Sequence, residues 1–180
     1  DVVAEAEVSN GTFYNHFEDR DAFLHSLATE SLRALTAASA EATAGVDPAW
    51  RLAVATAQVL ITAQAKPLWA RAVLRLAEWG EPPQEELAHY LRTDLREGFE
   101  EGRFRFGDDT ITMDMIVGTL MATLRRMIAA NGEAPPLSLT IKRLLEVLGL
   151  APEDAEALSE RACEAVTAKS EPQETPKKWR

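Results

Sequence analysis

The residues best suited to chemistry lie near the start of the chain, in Val8-Ser9-Asn10-Gly11-Thr12-Phe13-Tyr14-Asn15-His16-Phe17. Ser9 is a good N-cap, and the helix it opens runs only to about Asn15. Isolated helices are marginal below roughly 12 to 15 residues. One this short persists only when neighbours clamp its apolar side, here Val8, Phe13 and Phe17. The other side presents Asn10, Gly11, Tyr14 and Asn15. It offers a helix N-terminus, a glycine that admits close backbone approach, and polar side chains able to reach base edges or phosphates in a major groove. A short capped helix between two longer ones also serves as a plain structural corner, and composition does not separate the two readings.

A second constellation is Glu86-Leu87-Ala88-His89, a Glu-x-x-His pair on one helix face as in carboxylate-bridged di-iron bundles. That chemistry needs a second copy and two further inward glutamates, and His89 finds no matching partner in the sequence. The pair therefore reads as a solvated polar face with Glu85. No Gly-rich phosphate loop, Ser-His-Asp set or catalytic Cys and His pair stands out, so no catalytic residue, metal or cofactor is expected. The single cysteine, Cys163, rules out an internal disulfide and, alone, a thiolate zinc site.

The elements that must position the short helix are themselves helical, because Ala, Leu, Glu and Arg dominate at helical spacing and β-branched runs are short. Residues 1–6 read as the end of one helix, and Asp19 caps a long one to about Ala44, closed by Gly45. Asp47-Pro48 restarts the chain as cap and first helical residue, Lys66-Pro67 breaks it, and a further helix covers 68–79. Gly80-Glu81-Pro82-Pro83 is a firm boundary before a polar helix over about 83–101. After Gly102 and a short connector, Asp108 or Asp109 caps a helix to about 130. Helices over 138–148 and from Pro152 to about 168 follow, and the Pro, Glu and Lys-rich 169–180 reads as a flexible tail. The fold class is all-α: a partial helix-turn-helix and connecting helix over 1–44, then a helical ligand-binding and dimerisation domain over 45–168.

With 180 residues and 46% hydrophobic composition, the chain can bury a substantial core. No apolar run approaches a membrane span and no signal peptide is visible, so no membrane partner and a cytoplasmic location are expected. Nineteen basic against 29 acidic residues give a formal charge of −10, which opposes a nucleic-acid partner, since duplex affinity comes largely from Lys and Arg neutralising phosphates. Residues 1–20 contribute five acidic groups against Arg20 alone.

The order Ala4-Glu5-Ala6-Glu7-Val8-Ser9-Asn10-Gly11-Thr12-Phe13-Tyr14-Asn15-His16-Phe17, then Arg20-Asp21-Ala22-Phe23-Leu24, resembles the helix-turn-helix signature of TetR-family repressors. The later run of helices is similar too, down to the Gly102-Arg103-Phe104 connector. The resemblance implies that Asn10, Gly11 and Tyr14 face bases behind the Ser9 cap, and that Thr12, Asn15, His16 and Arg20 grip phosphates. A phosphate beside His16 would favour its charged form. The family usually has Gly where this chain has Glu7, and its first helix, often flanked by Lys and Arg, would precede Asp1. The implied partners are a double-stranded DNA operator of two half-sites, a small-molecule effector and a second copy of the chain.

The helix over 110–130 is apolar around most of its circumference, which is the mark of burial on more than one side. Together with 138–148 it is expected to form a four-helix dimer interface through Val117, Gly118, Leu120, Met121, Leu124, Ile141, Leu144, Leu145 and Leu148. Gly118 and Ala122 would permit close helix approach. Between reader and interface, Trp50, Val54, Gln58, Ile61, Trp69, Val73, Leu76, Tyr90 and Met113 are candidates to line an apolar cavity with polar handles. The function expected is a ligand-responsive repressor released from its operator by a small molecule. A helical protein-binding adaptor and a metal-dependent bundle enzyme are the alternatives.

Overall fold

The computed structural model describes residues 20–42, 45–79, 83–130 and 136–170. These form seven helices and no strand: α1 (Arg20–Ala42), α2 (Pro48–Ala65), α3 (Pro67–Trp79), α4 (Pro83–Glu100), α5 (Thr110–Ala129), α6 (Leu137–Val147) and α7 (Pro152–Ser170). Their limits follow the punctuation of the sequence. Gly45, Gly102 and Gly149 have φ of 73°, 71° and 106°, the left-handed region that ends helices and that glycine enters without strain. Asp47 caps α2 through Ala49 N at 3.0 Å, with Pro48 in the first turn. Asp109, not Asp108, caps α5, accepting from Thr112 N at 3.0 Å and from the Thr112 hydroxyl at 2.7 Å. Those bonds hold the Asp109 carboxyl below the usual range. The helix expected over 138–148 starts one residue earlier, at Leu137, behind Pro136 and without a side-chain cap. The region expected to be a tail contributes its first two residues to α7.

At the centre stands α2, which packs against all six other helices. Its sequence explains the position, for Arg51 is its only charged residue. Ala49, Ala53, Ala57 and Leu60 are wholly enclosed, and the small alanines let neighbouring helices come close. The most extensive contacts run from α7 to both α2 and α6, while α1 lies against α2, α3 and α4. One continuous core joins Leu32 of α1 to Val73 of α3, Leu95 of α4, Leu124 of α5, Leu145 of α6 and Val166 of α7.

The turn between α4 and α5 locks these layers together. Arg103 N and Phe104 N both donate to Gly98 O, at 2.7 and 2.8 Å, and Arg105 N donates to Leu148 O at 2.8 Å. Phe104 is thereby pressed onto α4, 3% exposed, over a backbone that only glycine leaves open. A Cβ on Gly98 would overlap the Phe104 ring. Gly98→Ala is therefore expected to destabilise the chain by about 1–3 kcal/mol, as overpacking of a filled site does. Thermal unfolding followed by circular dichroism should show Tm lowered by roughly 2–4 °C per kcal/mol lost, and an unchanged Tm would contradict this packing.

Candidate functional site

Two places can do work: the junction of α1 with the body, and the outer side of α5 and α6. The first begins with α1 itself, which starts at Arg20, directly after the segment that resembles a DNA reader. Ala28, Leu32 and Thr36 recur at helical spacing and bury that side of α1 against the body. Thr36 satisfies its hydroxyl within the helix, donating toward Leu32 O and Arg33 O at 3.1 and 3.0 Å. On the neighbouring flank Ser31 Oγ accepts from Trp69 Nε1 of α3 at 3.0 Å. A half-buried indole N–H requires such a partner. The bond fixes the register of α1 on α3, so α1 cannot slide along the body without breaking it.

Ser31 was not among the residues singled out in the sequence, and neither was Thr29. The Thr29 Oγ1 is shielded from solvent and has no hydrogen-bond partner among the described residues. Leaving a buried hydroxyl unpaired costs about 1–3 kcal/mol, so a group that supplied a partner would be held there. The only sequence signal was the polar residue type at a position on the inward half of a long helix.

The expected pocket residues divide. Val54, Val73 and Met113 belong to the closed core, at 7%, 3% and 6% exposure. Gln58, Ile61, Trp69 and Tyr90 are half-buried, and Leu76 is carried by α3. The Tyr90 ring meets that of its neighbour His89 edge-on, with centroids 5.8 Å apart. Trp50 looks elsewhere: the Arg161 guanidinium of α7 lies 4.2 Å from its ring centroid, a cation–π contact that ties it to the α2–α7 seam. The structure thus separates Trp50 from Trp69, which is engaged with α1.

The expected interface residues divide as well. Leu124, Ile141, Leu144, Leu145 and Leu148 are each at most 4% exposed within a single chain, so they have almost no surface to give a partner. Their burial comes from the chain's own core, with α7 laid along α6. Val117 and Gly118 are exposed, while Leu120 and Met121 are half-buried. The exposed apolar residues of this side include Ile111 at 67%, Met115 at 42% and, on α6, Leu139 at 42%.

Ser9, Asn10, Gly11, Thr12, Tyr14, Asn15 and His16 lie outside the described residues. His89 is exposed, and among the described residues no group of three His, Cys, Asp or Glu side chains converges as a metal site would require. Among the described residues, too, no helix is long and apolar enough to cross a membrane. Burial pushes the half-buried Cys163 thiol up from its usual range, which removes the thiolate character that a reactive cysteine needs.

The Trp69–Ser31 bond makes a direct prediction. Trp69→Phe and Ser31→Ala should each cost about 0.5–1.5 kcal/mol, the net value of one hydrogen bond. In a double-mutant cycle by urea unfolding the pair should cost less than the sum of the singles; additive losses would mean that the two groups do not interact.

A family model described as tetracyclin repressor-like, C-terminal domain, matches residues 47–161, from the cap of α2 to the middle of α7. Two solved structures of RolR share the fold. The structure without ligand aligns with a TM-score of 0.72 at 22% identity, covering 89% of this chain and 84% of RolR. The complex with resorcinol aligns with a TM-score of 0.65 at 20% identity, covering 89% of this chain and 81% of RolR. Curated proteins give no significant match. The family match takes in the greater part of the chain, including the central helix and every helix packed on it after α1, and the chain belongs to the TetR family of regulators.

Proposed function

We propose that the chain is a ligand-responsive, DNA-binding transcriptional repressor that acts as a homodimer and is released from its operator by a small molecule. The observation that carries this reading is the attachment of α1. The helix that continues from the Asn10 to His16 segment is fastened to the sensor body by burial of Ala28, Leu32 and Thr36 and by the Trp69–Ser31 bond. The helix that follows the reader-like segment in sequence is thereby fastened to a body of the tetracyclin repressor-like type.

Asn10, Gly11 and Tyr14 read base edges in the major groove, while Thr12, Asn15, His16 and Arg20 contact phosphates. Two copies related by a two-fold axis place these segments on half-sites about one helical turn apart. The partner is met by the exposed apolar residues of α5 and α6, not by those the single chain already encloses. The effector enters between α1 and the body, where the buried, unsatisfied Thr29 hydroxyl of α1 offers a polar contact to orient a mainly apolar molecule. By taking up room there it shifts α1 on α3 and changes the spacing of the readers. A coupling of about 1–3 kcal/mol lowers operator affinity by roughly 5- to 150-fold.

Selection of bound DNA from a random pool should return an inverted repeat, and its affinity should fall by orders of magnitude between about 50 and 200 mM salt. A flat salt response would reject DNA as the partner and favour a protein-binding adaptor. A small-molecule release screen, begun with resorcinol because RolR has been solved in complex with it, tests the sensor. Trp69→Phe is expected to leave operator affinity within about threefold while reducing release by an effector, because the coupling and not the reader is altered. Equal release from wild type and variant would place the coupling elsewhere.

A further inference from the structure

We propose that a second copy of this chain docks antiparallel on the outer face of α5, with Asp114 of each copy opposite Arg125 of the partner subunit. The proposal rests on the dimeric reading above and adds the register of the interface to it.

The face is defined by position on the helix. At about 100° per residue, Ile111, Met115, Gly118, Ala122 and Ala129 fall on one stripe, and all five are exposed. Ile111 is 67% and Met115 42% exposed, more apolar surface than a solvated helix needs to present in sequence. Asp114 and Arg125 flank this stripe, both are exposed, and among the described residues neither forms an ion pair.

Their spacing selects the geometry. Eleven positions are three turns plus about 20°, so Asp114 and Arg125 share one flank. When two antiparallel helices are related by a two-fold axis, groups on the same flank meet if the axis passes midway between them. The midpoint here lies between Thr119 and Leu120, within about one residue's rise of Leu120, the midpoint of Gly118 and Ala122. The charges and this small pair therefore centre the contact independently on nearly the same level of the helix. Arg126 stands on the opposite flank and has no acidic counterpart there.

Gly118 supports the same conclusion. It lies inside a helix, its φ is not among the positive ones, and a Cβ built on it meets nothing within 4 Å. Glycine in a helix interior costs about 0.5–1 kcal/mol relative to alanine, and nothing among the described residues requires it. Close approach of a second backbone does. The chain carries a formal charge of −10, so two copies repel at long range and must meet through a face whose own charges answer each other.

The test is sedimentation equilibrium of the whole chain with Asp114→Arg, Arg125→Asp, the double swap, and Arg126→Asp as a control for added negative charge. Wild type should be a dimer, each of the two flank reversals should raise the dissociation constant at least about tenfold, and the double swap should recover most of the loss. Arg126→Asp should have much the smaller effect. Gly118→Leu should dissociate the dimer while circular dichroism shows the fold intact, since a Cβ there meets none of the described residues within 4 Å. A dimeric wild type indifferent to the flank reversals, or a double swap that recovers nothing, overturns the register and leaves the dimer standing. A monomeric wild type overturns both.

Discussion

A helix that touches every other helix must bury whatever it carries, and α2 carries one charge. Arg51 is 11% exposed and is met by Asp94 at 2.6 Å and by Glu97, both on α4. It also donates to Val46 O at 2.9 Å in the turn after α1. Burial pushes the Asp94 carboxyl up from its usual range, against the pull of the Arg51 guanidinium. Such a pair adds little net stability compared with apolar residues, yet removing one partner is expensive, at about 3–5 kcal/mol, because the other is left uncompensated. Its role is to fix which helix lies beside which. Nearby, Arg103 joins the Asp47 cap of α2 at 3.1 Å to Asp154 of α7 at 3.8 Å. The ends of α2, α4 and α7 are thus pinned by charge. At the junction of α1 with α3 a neutral hydrogen bond, Trp69 to Ser31, joins the burial of Ala28, Leu32 and Thr36 in seating α1 on the body.

The boundaries of the helices were legible because each is written in residue types with a local meaning. Pro48, Pro67 and Pro152 open helices, Gly45, Gly102 and Gly149 close them in the left-handed region, and Asp47 and Asp109 cap them. What was not legible is which apolar side of a helix meets which neighbour. The abundance of Leu and Ile on α5 and α6 suggested two subunits sharing a core. In the structure α7 covers α6, and the chain alone encloses Leu144, Leu145 and Leu148. An amphipathic pattern specifies that a face is buried; it does not name the covering partner, which is settled by tertiary packing. Trp50 and Trp69 show the same limit. Both are half-buried tryptophans suited to a cavity wall, but one stacks under Arg161 and the other bonds Ser31. A serine within a long helix carries no signal until α3 is laid against it.

The acidic character of the chain bears on the proposed contacts differently at different distances. At physiological salt the Debye length is about 8 Å, so charges separated by several such lengths scarcely sense one another. With 23 residues, α1 is about 35 Å long. The carboxylates of Asp94 and Glu97 lie beside Arg51, whose bond to Val46 places them near the turn that follows α1, while Arg20 stands at its other end. Phosphates gripped at Arg20 would therefore be screened from the acids at the distal end of the body. A formal charge of −10 sets the strength of long-range repulsion at low ionic strength, but affinity is decided by the few groups within a Debye length of the duplex. The same reasoning applies between copies. On the exposed side of α5 the near field consists of Asp114, Arg125 and Arg126 around a stripe of apolar and small residues. Net charge makes the approach of acidic surfaces worse, and so favours a face on which an acidic group of each copy can meet a basic group of the other.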